Sequence, residues 1–336
     1  MAIIGVLGCT ALLTCAFGMN DSMNMLKDWQ YKDIYKFNSK LTLEEIATDT
    51  QIEVVISSVS GQALMESGIE IRADGRKKTA SAIITDRVTL IQPTGYDRRP
   101  VDLPPDGISM TSKTAAALGV QAGDTIEWHV YGSERWVESE IAAIYRDPST
   151  QGLMMTREVF EALGCEYRPT AIVTAERVLG HYDGVVAVLS TSDIIDGWDE
   201  LTEAMMTMVY VLIAGAALLS IVVLYNLGLL SFTEMERDMA TLKVMGLKTK
   251  KLRGLLLTQN IWFSIIGFVI GLPCGMWLIQ IMVDASGDSF DFPVELTAGT
   301  TALVFAITFG LSIFVSLLFS KKIKRLNMVE ALKAME

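Results

Sequence analysis

Four stretches of this chain contain no Asp, Glu, Lys or Arg: Ala2 to Asn20, Ala204 to Thr233, Gly254 to Val283 and Leu296 to Ser320. A helix of roughly 20 apolar residues crosses the hydrocarbon of a bilayer, and the last three windows exceed that length. With half the residues hydrophobic, such windows predict transmembrane helices at 1–20, 204–233, 254–283 and 296–320. The first window lacks the basic start of a secretory signal, so it reads as a span. Because the chain opens almost inside that span, it is expected to be the back part of a longer polypeptide.

Charge in the short connecting segments sets orientation, with Lys and Arg favouring the cytoplasmic side. The segment 234–253 holds Arg237, Lys243, Lys248, Lys250, Lys251 and Arg253, and the tail 321–336 holds Lys321, Lys322, Lys324, Arg325 and Lys333. The loop 284–295 has four acids and no basic residue. Elbow and tail are therefore expected inside, and the loop outside with the block 21–203. The outer parts carry −17 and the inner parts +6, in accord with the net −11. No basic surface for nucleic acid is expected.

The outer block reads as mixed α and β. QIEVVISSVS (51–60), KTASAIITDRVTLI (78–91), DTIEWHVYG (124–132) and VESEIAAIYR (137–146) are rich in β-branched residues and predict strands. LTLEEIAT (41–48), SKTAAALG (112–119) and TREVFEALG (156–164) predict short helices, the last two closed by glycine. ISMTSKTAAALGVQAGDTIEW predicts strand, helix, a turn at Gly123-Asp124 and strand, a unit found in small barrel-like modules. TSDIIDGWDELTEAMMTM predicts a helix running on into the second span, with Gly197 its one weak point. The fold class is thus an α+β membrane protein: four transmembrane helices, with a strand-rich extracytoplasmic domain inserted between the first and second.

Within the elbow, Met235, Met239, Leu242 and Met245 fall on one helical face, and Glu236, Arg237, Asp238, Thr241 and Lys243 occupy the remainder. Thr233 and Glu236 have capping-box spacing, Gly246 can end the helix, and Thr249 can start the next. Such a helix either lies on lipid headgroups with its lysines snorkelling, or seats its methionines in a groove of a cytoplasmic partner.

ERDMATLKVMGLKTKKL (236–252) resembles the cytoplasmic signature segment of FtsX-like and MacB-like ABC transporter permeases. VVLYNLGLLSFTEMERD (222–238), the tail KKIKRLNMVEALKAME (321–336) and the outer TSKTAAALGVQAGDTIEW are similar to further parts of that family. The resemblance implies that residues 234–246 form a coupling helix docking on a separate ATPase, with Arg237, Asp238, Thr241, Leu242, Lys243 and Gly246 at matching positions. It also implies the second half of a double-length permease, a second permease half or copy as partner, and residence as a multi-pass protein in a bacterial cell membrane.

Gly267, Gly271 and Gly275 repeat every four residues, which would let another helix approach the third span closely; Pro273 would bend it. Asn226 is expected to hydrogen-bond another helix or a backbone carbonyl. No charged residue lies inside a span, which disfavours an aqueous path for ions and suits a mechanical role. The chain has no phosphate-binding loop, so ATP hydrolysis is expected on another polypeptide and no cofactor on this one. Two histidines, His129 and His181, and four cysteines, three of them in the apolar windows, make no case for metal, triad or disulfide framework. Two functions fit: export or extraction of a lipid-like or peptide substrate, and a non-transporting scaffold that activates an external cell-wall hydrolase or a sensor kinase.

Overall fold

The structure, a computed structural model, describes residues 2–244, 249–285, 287–288, 290–291 and 294–324. It divides into a helical unit, Met1–Ser22 with Glu203–Met282 and Val294–Glu336, and a strand-rich unit, Met23–Thr202 with Val283–Pro293. The acidic connector thus belongs largely with the strand-rich unit.

Nine strands build that unit: β1 (Ser39–Leu43), β2 (Gln62–Ala73), β3 (Arg76–Thr85), β4 (Ile108–Thr111), β5 (Thr125–Val130), β6 (Val137–Tyr145), β7 (Gly152–Thr156), β8 (Ala171–Thr174) and β9 (Val185–Ser190). The pairings β2–β3, β3–β7, β7–β4, β4–β6, β6–β5 and β5–β2 return to their start, so six strands close into a small barrel. Closure removes the exposed edges that an open sheet would leave. Strand β2 is long enough to change neighbours: Ile69–Arg72 pair with β5, whereas Gln62–Leu64 pair with β8. From β8 the sheet continues through β1 to β9 as a wing outside the ring.

The barrel interior holds Ile69, Ile71, Ile84, Met110, Ile126, Trp128, Ile141, Leu153, Met155 and Phe160, with the Trp128 and Phe160 rings stacked at 6.1 Å. Ile83 and Met154, the neighbours of inward residues, are also buried, on the opposite face against Trp29, Ile34 and Tyr145. Both faces of β7 and of the last four residues of β3, Ala82–Thr85, are therefore covered, and their apolar runs are continuous where a solvated strand would alternate.

Two expectations are corrected here. Residues 51–60 are not a strand; Asp49–Val59 form helix α2, whose Thr48 and Gln51 make a full capping box. Ile52, Val55 and Val59 share one buried face, so helical spacing and the cap outweigh β-branched propensity. Residues 41–48 are not a helix; Leu41 and Leu43 alternate inward in β1 before a turn. The β4 to β5 unit matches its expectation, with helix α3 (Ser112–Leu118) ended by Gly119 at φ 77° and the turn through Gly123. Helix α4 (Arg157–Ala162) follows β7, capped by the Thr156 side chain.

The helical unit is built from α1 (Ala2–Asp28), α5 (Thr191–Val244), α6 (Thr249–Ala285) and α7 (Ala298–Lys324), save the ends Met23–Asp28, Thr191–Thr202 and Val283–Ala285, which belong to the strand-rich unit. Among the described residues, Ile3–Ile34, Thr191–Leu219 and Ile261–Ala285 are long and apolar enough to cross a membrane, and Ala298–Phe314 is a shorter apolar helix. This is a membrane protein. Helix α1 runs past the predicted window and passes into a π-helical turn, Trp29–Ile34.

Candidate coupling site and helix seam

The seam lies between α1 and α6. Gly267, Gly271, Gly275 and Ile279 form one row of α6, and Val6, Thr10, Thr14 and Gly18 form the facing row of α1. A Cβ on Gly267 would lie 2.7 Å from Val6 Cβ; on Gly271, 2.6 Å from Thr10 Cβ; on Gly275, 2.5 Å from Thr14 Cβ. The next step reverses the roles, with a Cβ on Gly18 falling 2.6 Å from Ile279 Cδ1. Each row advances by four in the same direction, so α1 and α6 run parallel and pack ridge against ridge at a spacing only glycine permits. The sequence shows the α1 row as plainly as the glycines, yet it is legible only when the two helices are known to meet.

Helix α7 runs the other way. Ser264 Oγ is 2.6 Å from Ser312 Oγ, while Phe268, one turn further along α6, stacks edge-on with Phe305 at 5.2 Å. Against α1, Thr10 meets Thr308 at 3.5 Å and Leu13 packs with Val304. Two buried hydroxyls are accommodated in this apolar setting by bonding to their own helices: Thr10 Oγ1 donates to Val6 O at 2.8 Å and Ser22 Oγ to Gly18 O at 2.9 Å. Ile213 brings α5 to the cluster around Cys9 and Leu13. Pro273 lies inside α6, and Asn226 is exposed on α5.

The elbow differs from its expectation at one end. No separate helix starts at Thr233; α5 is unbroken from Thr191 to Val244. Between Gly228 and Gly246 there is neither Gly nor Pro, so the helix has no reason to stop at a capping threonine. Gly197 is also within the helix. Glu236, Arg237, Asp238, Met239, Thr241, Leu242 and Lys243 are placed on this backbone, whereas Met245 and Gly246 lie outside the described residues. Helix α6 then begins at Thr249, five residues before the predicted span.

Of the histidines, His129 is half-buried, with Nδ1 2.8 Å from the Ser133 carbonyl and its ring 4.4 Å from that of Trp136. None of the four cysteines is in a disulfide. Among the described residues no group of His, Cys, Asp and Glu is arranged to hold a metal ion.

Residues 210–328 match the family model described as FtsX-like permease C-terminal. That range takes in the last part of α5, the elbow, α6 and α7. No curated protein matches the chain.

Proposed function

From the match of residues 210–328 to the FtsX-like permease family, we propose that the chain is the membrane subunit of an ABC-type system in a bacterial cell membrane. Permeases of this family generally pair with an ATPase subunit. In this reading residues 1–20, 204–233, 254–283 and 296–320 contain the spans, 21–203 and 284–295 are extracytoplasmic, and 234–253 and 321–336 are cytoplasmic. The observation that carries it is the shared direction of α1 and α6. Parallel helices leave their C-terminal ends on one face of the bilayer, which is where the acidic segments 21–203 and 284–295 follow. The elbow, at the start of α6, then falls on the opposite side, with its six basic residues.

The elbow segment, with Arg237, Asp238, Thr241, Leu242, Lys243 and Gly246, docks on the partner ATPase in this proposal. ATP-driven closure below tilts the end of α5, and one uninterrupted helix carries the tilt to Thr191, where β9 ends. The outer domain then expels or extracts a lipid-like or peptide substrate. The same unbroken α5 also favours a second reading, a scaffold that activates an external hydrolase or a sensor kinase, because rigid transmission is all such a role needs.

Leu242→Asp, and charge reversal at Arg237 with Lys243, should leave membrane insertion intact while cutting stimulation of the co-purifying ATPase about tenfold, the scale of one lost buried contact of some 1.4 kcal/mol. Unchanged stimulation would count against the docking. Labelling of a cysteine at Lys250 from outside intact cells would sink the topology.

A further inference from the structure

The connector between α6 and α7 is held by the strand-rich unit through a converging set of cations. Arg146, at the end of β6, donates Nε to Asp291 Oδ2 at 2.6 Å and Nη2 to Asp291 Oδ1 at 2.8 Å, a bidentate fork. The two side chains are 21% and 16% exposed, so the pair is largely removed from water. The Asp291 amide donates to Pro148 O at 2.9 Å, Lys78 of β3 stands 3.0 Å from Asp288, and Lys113 of α3 donates to the Phe290 carbonyl. The connector thus meets basic residues from three separate elements of the domain, two through its acids and one through a backbone carbonyl.

Arg146 reaches a second span end as well. Its guanidinium carbon lies 5.2 Å from the ring centre of Trp29, the first residue after α1, and 5.5 Å from that of Tyr96. Its backbone is fixed from both sides by Thr94: Arg146 N donates to Thr94 O at 2.6 Å, and Thr94 Oγ1 donates to Arg146 O at 3.1 Å. The same Thr94 Oγ1 accepts from Trp29 Nε1 at 2.8 Å. The start of α5 joins the α1 end nearby, where Trp198 Nε1 donates to Tyr31 Oη at 3.3 Å and Lys27 pairs with Asp199.

We propose that Arg146 is a positioning hub that straps the 284–295 connector to the segment after α1, so that movement of the α6–α7 end is delivered to the barrel as a load. A loop needed only to reverse the chain would be shorter and would not carry two docked carboxylates. A largely buried fork also resists withdrawal, because removing one partner strands the other charge. The load-bearing half of the proposal rests on the coupling reading above; the strap itself does not.

The test uses the full chain in lipid nanodiscs, with Arg146→Asp, Asp291→Arg and the double swap, followed by amide hydrogen exchange. Each single swap should speed exchange at Asp291 at least tenfold, and also at Trp29–Ile34, while β3 and β7 stay protected as evidence of a folded barrel. The double swap should restore both segments. A connector that stays protected in the single swaps, or one released with no change at Trp29–Ile34, overturns the hub. With the co-purifying ATPase, single swaps should lower stimulation at least threefold; full stimulation with a released connector overturns the load-bearing role. If Leu242→Asp also leaves stimulation intact, the ATPase docking is what fails, and hydrogen exchange still decides whether Arg146 holds the strap.

Discussion

Gly271 packs backbone to backbone on the Thr10 turn of α1: a Cβ at Gly271 would stand 2.6 Å from Thr10 Cβ and 3.0 Å from the Leu7 carbonyl oxygen. Both obstacles lie close to the main chain of α1, so no rotamer change can clear them. Gly271→Leu should therefore push the helices apart and destabilise the helical unit by about 1–3 kcal/mol, the usual cost of overpacking. Thermal unfolding in detergent measures this. A companion Thr10→Gly should recover part of the loss for Gly271→Ala, because it clears the side-chain obstacle and leaves only the carbonyl. A Gly271→Leu protein as stable as the parent would refute the seam.

Gly152 lets β7 approach β3 closely at Ser81. It adopts φ 149°, and a Cβ there would fall 1.9 Å from the Ser81 carbonyl oxygen, across the parallel pair of β7 and β3. Gly152→Ala combines a disfavoured backbone with a clash against main chain, so its cost should exceed about 2 kcal/mol. The expected result is loss of protease resistance across residues 23–202 in the full chain, while Gly75→Ala, at a turn with open space, should have a milder effect.

The helical half of the molecule is legible because bilayer length and the absence of charge are strong signals that need no knowledge of partners. The glycine row of α6 is legible for the same reason. What fails is local: β-branched residues at 51–60 suggest a strand where the Thr48 and Gln51 cap and the helical spacing prevail, and Thr233 is read as a start although nothing interrupts the helix there. Nor could the pairing of Arg146 with Asp291, 145 positions away, be read from a linear pattern, since a salt bridge leaves no periodicity. The barrel is closed by β2 pairing with β3 along one edge and with β5 along the other, and strand order of that kind is a property of the packed state.

The Thr48 cap gives a small, separable test. Its hydroxyl accepts from the Gln51 amide, and the Gln51 side chain accepts from the Thr48 amide at 2.9 Å. Thr48→Ala should cost about 1 kcal/mol. Thr48→Ser should cost much less, and equal losses in the two variants would show that the methyl group matters and the cap does not. Chemical denaturation followed at the strand-rich unit reads the difference.

Asp147 makes the stability of the strand-rich unit depend on pH. Its side chain is 3% exposed, and Oδ1 accepts from the Ser149 amide at 2.9 Å and the Thr150 amide at 2.7 Å. Burial raises its pKa from 3.8 to about 6, against the two backbone bonds, and the Asp291 carboxylate adds to the rise. The folded protein therefore holds this proton at pH values where the unfolded chain has released it. Stability is greatest below about 3.8 as far as this group is concerned, falls as pH rises toward about 6, and is flat beyond. A shift of some two units corresponds to roughly 3 kcal/mol. Asp147→Asn keeps an oxygen that can accept both amides and has no proton to lose. Compared with the parent, it should gain stability at pH 7.5 and little at pH 4, so the difference between the two denaturation midpoints should open between those values. The tyrosines beside it, Tyr35 and Tyr145, are held neutral by burial and by the Asp147 charge itself, and do not titrate in this range. An Asp147→Asn protein that tracks the parent at every pH, or one less stable at pH 7.5, would mean that the buried carboxylate is tolerated at no cost.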